Sequence, residues 1–132
     1  MCNRMEALLE RAEADLRTAC REHAVTEGAN PASVCHHAQS ATLHFLQARL
    51  MLAGQPYPST PHPVVLLECC LELEPEWEGH RNDLRLIHLL AMDAQDPMVR
   101  DLDEMAEGSL NAAMRFAEAA RPVFTGAAAT AP

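Results

Sequence analysis

The segment VVLLECCLEL, residues 64–73, could be a short buried strand or one side of a helix, and the choice separates a mixed fold from an all-α one. Three features choose the helix. Pro63 suits a first helical turn, Glu68 and Glu72 share a face at four-residue spacing, and no other segment could pair with this one as a strand.

Upstream, QPYPSTPHP at 55–63 carries Pro56, Pro58, Pro61 and Pro63 and reads as an extended connection. Before it, residues 33–53 form a helix with one apolar stripe through Val34, Ala38, Ala41, Phe45, Ala48 and Leu52. A second runs through Leu43, Leu46 and Leu50. A helix apolar on two faces must cover both, so it belongs at the centre of a bundle or against a second subunit. Gly54 ends it, and Gly28, Asn30 and Pro31 separate it from an amphipathic helix over 5–23, whose stripe includes Leu8, Ala12, Leu16, Ala19 and Cys20.

Downstream, Pro75 and Gly79 mark a break. A fourth helix then runs to Gln95 with a broad apolar surface from Leu84, Leu86, Ile87, Leu89, Leu90, Ala91 and Met92, and Asp96 and Pro97 stop it. The last helix spans 101–120, closed by Pro122. Residues 1–124 make one domain, an all-α antiparallel bundle of four or five helices in up-down order, and 125–132 are a disordered tail. Trp77 is expected to cap one bundle end rather than to serve as a stacking platform.

The bulk composition narrows the function. The 132 residues carry a formal charge of -9, which disfavours tight binding to a phosphate backbone. All ten basic side chains are arginine, so lysine Schiff-base chemistry and a P-loop lysine are excluded. MCNRMEALLE opens directly into charged helical sequence and no apolar run approaches a membrane span, so the expected location is the cytoplasm. Five irregularly spaced cysteines argue against a disulfide framework, and Cys20, Cys35 and Cys70 read as small core residues.

Several patterns together resemble the HEPN domain family. Ala12, Asp15, Leu16 and Ala19 follow its A-x-x-D-L-x-x-A helix, and QSATLHFLQARLMLAG, residues 39–54, is similar to its Q-Q-A-x-E-K-x-L-K-A-x-L helix. Thr60, His62 and Val64 echo its T-H-D-L turn, with proline intervening. Gln95, Asp96 and Pro97 stand at its R-Y-P. The chain departs from the pattern at Leu43 and His44, where members often carry E-K, and at Gln95 and Asp96.

The resemblance implies a helical module, often dimeric, encoded with a minimal nucleotidyltransferase. Some relatives are metal-independent ribonucleases built on an arginine and a histidine with four to six residues between them, and six separate Arg81 from His88. Here Arg81 and His88 fit that pattern and lie about two turns apart on one stripe of the fourth helix. Histidine would exchange a proton with a ribose hydroxyl while arginine steadied the phosphorane-like charge. Asn82 and Arg85 are the candidate binding residues beside them. His88 also suits a packed or interface role among Leu84, Ile87, Ala91 and Met92. His37 and His44 are seven apart near Cys35 and His36, but with no carboxylate on their helix they do not make a metal site, and no cofactor is implied.

The functional expectation is a homodimeric, non-enzymatic module that partners a nucleotidyltransferase in a toxin–antitoxin type system, with a nucleotide or RNA as a further ligand. The alternatives are a ribonuclease toxin using Arg81 and His88, and an unrelated helical scaffold or adaptor.

Overall fold

The structure, a computed structural model, describes residues 3–25, 30–96, 98 and 101–130, so the breaks expected at Gly28 and Pro97 lie outside the described residues. Five α-helices and one 3-10 turn account for the architecture: α1 (Asn3–Ala24), α2 (Pro31–Leu52), α3 (Pro63–Cys70), the 3-10 turn (Pro75–His80), α4 (Arg81–Asp93) and α5 (Leu102–Thr130). Among the described residues there is no strand, so 64–73 resolves as helix followed by a turn.

Local chemistry sets the boundaries. Asn30 caps α2 by accepting a hydrogen bond from the Ser33 amide at 3.1 Å, and Pro31 takes the first helical position, where its missing donor costs nothing. At the other end Gln55 N–H reaches the Leu50 carbonyl at 2.9 Å and Gly54 N–H the Met51 carbonyl at 3.0 Å. This Schellman closure needs the left-handed backbone of Gly54, at φ 71°. A Cβ there would meet nothing within 4 Å, so only backbone strain opposes substitution. Gly54→Ala is therefore expected to lower stability by about 1–2 kcal/mol in urea titration, and an unchanged midpoint would contradict that.

α2 lies at the centre and packs against all four other helices. Its Phe45, Leu46 and Leu50 are buried, joined by Leu66, Leu67 and Cys70 of α3, Leu84 and Ile87 of α4, and Phe116 and Ala120 of α5. Alanines at 38, 41 and 48 are fully buried and let neighbouring helices approach closely. Both apolar stripes of α2 are thus covered within one subunit. α4 differs: Leu84 and Ile87 are buried, but Leu86, Leu89 and Met92 are exposed.

Trp77 is buried at the 3-10 turn, edge-on to Phe116 with ring centroids 5.1 Å apart, so its faces are not a stacking platform. Cys35 and Cys70 are core residues, and burial pushes the Cys70 thiol up to about 12.

Two expectations need correction. Cys20 is exposed; with Leu16, Met114 and Arg121 it lines a groove of about 360 Å³ between α1 and α5. It sits one residue, about 100° of helix, beyond the buried Ala19 and so off the core stripe. α5 does not stop at Pro122, which lies inside it, and runs on to Thr130. Proline forfeits one backbone bond, but Ala117, Ala120 and Phe124 are buried along one side of α5 and keep it on the core. Ala127, Ala128 and Ala129 are the strongest helix formers.

Candidate functional site

Arg81 is the first residue of α4, delivered there by the 3-10 turn. Its guanidinium makes a two-pronged bond to Glu78, at 2.7 and 2.8 Å, and a further ion pair with Glu68 of α3. Those two carboxylates hold it firmly protonated, Glu78 first and Glu68 second. Asp83, two residues on, takes a similar two-pronged bond from Arg115 at 2.9 Å and ties α4 to α5.

His88 lies about 10 Å further along the axis of α4, half-buried. Its Nδ1 is 2.9 Å from Gln39 Oε1 of α2, and its ring stacks on His62 with centroids 3.8 Å apart and planes 22° apart. The amide oxygen can only accept, so His88 carries its proton on Nδ1 and turns an unprotonated Nε2 outward. His62 is the cap of α3. Its Nδ1 accepts from the Val64 amide at 3.2 Å while Thr60 Oγ1 accepts from the His62 amide at 3.1 Å. In its neutral form His62 therefore bears its proton on Nε2. The stacked rings offer one acceptor and one donor side by side.

Burial, and secondarily the charge of His62, lowers the His88 pKa from its ordinary 6.5. A histidine held neutral in the fold contributes stability that is present above its unfolded value and is lost as pH falls through the folded one. In an NMR titration His88 should titrate below 6.5. His62→Asn keeps a capping side chain and should move that midpoint partway up, because burial remains. A midpoint at or above the ordinary value in the parent would contradict the geometry.

Arg81 and His88 occupy one flank of α4, as the spacing suggested, but they do not bond each other: one is committed to Glu68 and Glu78, the other to Gln39 and His62. Asn82 and Arg85 are exposed on the outer face of the same helix. The partners Gln39, His62, Glu68 and Glu78 went unassigned in the sequence reading. Gln39 and His62 nonetheless belong to two of the quoted motifs, and convergence of those motifs on one histidine is the signal that was there to follow.

A second polar cluster joins α1 to α2. The Nδ1 atoms of His37 and His44 each lie 3.0 Å from one oxygen of Asp15. The carboxylate absent from the His37–His44 helix is thus supplied by its neighbour. Burial pushes the Asp15 carboxyl up, but hydrogen bonds from His44, His37 and Ser40 outweigh it and hold the group below its usual range. His44, which stands where HEPN members often carry lysine, keeps a bond to the aspartate of the first motif. Among the described residues no group of three histidine, cysteine or carboxylate side chains is placed to hold a metal ion. No described helix is long and apolar enough to cross a membrane.

Comparison with known proteins gives one positive result. A family model described as HEPN domain matches residues 5–123. No curated protein and no solved structure matches the chain.

Proposed function

The chain belongs to the HEPN domain family, and from that membership we propose that it is a non-enzymatic, homodimeric binding module that partners a minimal nucleotidyltransferase in a toxin–antitoxin type system of the cytoplasm. The observation that carries this reading is the state of Arg81. A guanidinium bound to both Glu68 and Glu78 shapes a surface, whereas a catalytic arginine must be free to meet a phosphate. The formal charge of -9 also opposes a polyanionic substrate. The stacked edges of His62 and His88, with Asn82 and Arg85 nearby on α4, supply polar contacts for the partner or for a bound nucleotide. A family match across nearly the whole chain sets aside the unrelated-scaffold alternative.

The test is co-expression with a minimal nucleotidyltransferase from the same genome, followed by size-exclusion chromatography with light scattering. A stoichiometric complex that survives the column is expected. Separate elution of the two proteins would remove the reading.

One observation favours a second reading, a metal-independent ribonuclease using Arg81 and His88. His88 is held neutral with Nε2 free, as a general base requires. Its test is RNA cleavage by the parent and loss of cleavage in a folded His88→Ala variant; equal activity in the two would refute it.

A further inference from the structure

The groove of about 360 Å³ between α1 and α5 carries an unusual charge balance. The chain holds nearly two acids for every base, 19 against 10, yet the groove is lined by Arg17, Arg21 and Arg121 against Glu13 alone. That glutamate is already committed. It takes a two-pronged bond from Arg121 at 2.8 and 2.9 Å, which ties the two helices together and closes one end of the groove. Arg17 and Arg21, four residues apart on one face of α1, are exposed, and neither forms an ion pair with another described residue.

The floor lies over a join in the core. Leu16 belongs to the larger of two buried clusters and Ala19 to the smaller, while Met114, half-buried, packs against both. A methionine with three rotatable bonds fills such a join adaptably, so an apolar chain laid along the groove gains contact there without breaking either cluster.

We propose that this groove binds a free single-chain anionic amphiphile, a medium-chain fatty acid. Its carboxylate sits between Arg17 and Arg21, whose planar forks match that group, and its alkyl chain runs over Leu16 and Met114 toward the Glu13–Arg121 pair. From residue 13 to residue 21 α1 rises about 12 Å, close to the length of an extended decanoate. Size argues against a larger occupant. A protein partner covers roughly 800 Å² a side, far more than these few side chains offer, whereas about 360 Å³ falls within the range of small-molecule sites. The groove shares no residue with the Arg81–His88 flank, and the inference does not depend on the partner reading.

The test is NMR titration of the labelled full chain with decanoate, with circular dichroism to check the fold of each variant. Saturable shifts centred on Leu16, Cys20 and Met114 are expected, together with slower alkylation of Cys20 by iodoacetamide, followed by mass spectrometry. Across hexanoate, octanoate and decanoate each added methylene should tighten binding about twofold, since a half-open groove captures about half the transfer free energy of a buried one. The Arg17→Gln/Arg21→Gln variant should bind decanoate about tenfold more weakly, the combined effect of two exposed charge contacts. Neutral 1-decanol should bind the parent more weakly by a similar factor. No saturable shift at these residues, equal binding of decanol, or an unchanged double variant overturns the proposal. Flotation of the chain with phosphatidylglycerol vesicles, lost in the double variant, would assign the arginines to a membrane surface and overturn it as well.

Discussion

Trp77→Ala is expected to lower folding stability by about 3–5 kcal/mol, the range for removing a large buried aromatic. The indole is 1% exposed and lies between the 3-10 turn that carries it and Phe116 of α5, whose other edge contact is His80 at 5.6 Å. Against a total stability of roughly 5–15 kcal/mol for a domain, the loss corresponds to a fall of roughly 10–20 °C in Tm. The variant should also loosen the site, because the same turn delivers Arg81 and Glu78 to the start of α4. Thermal unfolding followed by circular dichroism reads the effect, and a drop below about 1 kcal/mol would mean that the turn does not anchor the bundle.

Arg49→Met is expected to cost about 2–3 kcal/mol, by leaving a partly buried carboxylate without its partner. Arg49 Nε of α2 donates to Glu74 Oε2 at 2.8 Å, where the two side chains are 14% and 13% exposed. The pair fastens the segment after α3 to the central helix, beside the buried Cys70. Methionine keeps most of the arginine's apolar length, so the loss measures the uncompensated charge rather than a cavity. The double variant Arg49→Met/Glu74→Gln should recover at least half of the deficit, since a neutral amide is far cheaper to bury than a carboxylate. Urea unfolding of the parent, both single variants and the double variant closes the cycle. An Arg49→Met variant as stable as the parent would show the pair to be energetically idle.

Much of the fold is legible in the residue order because its signals are local. Pro31 and Pro63 each sit directly after the capping residue of a helix, Gly54 supplies the left-handed exit of α2, and the two stripes of α2 demand a central place. The errors lie where a local rule meets tertiary context. Proline stops most helices, yet the burial of Ala117, Ala120 and Phe124 carries α5 through Pro122. Cys20 follows the apolar stripe of α1 in sequence but falls at its margin in space.

The site is less legible, because its chemistry is decided by partners distant in sequence. Spacing alone places Arg81 and His88 on one flank of α4. It does not show that Glu68 and Glu78 occupy the arginine, or that Gln39, forty-nine residues away, fixes the tautomer of His88. Likewise Asp15 reaches His37 and His44 across the α1–α2 contact, which no pattern within either helix announces.

The proposed partner surface of this HEPN domain is the flank of α4 bearing Arg81 and His88, floored by Gln39 and His62. Backbone and histidine NMR shifts of the labelled chain, followed while an unlabelled minimal nucleotidyltransferase from the same genome is titrated in, report on that directly. The largest changes are expected on Gln39, His62, Arg81, Asn82 and His88. Changes confined to the α1–α5 groove around Leu16 and Met114, or none at saturating partner, would contradict it.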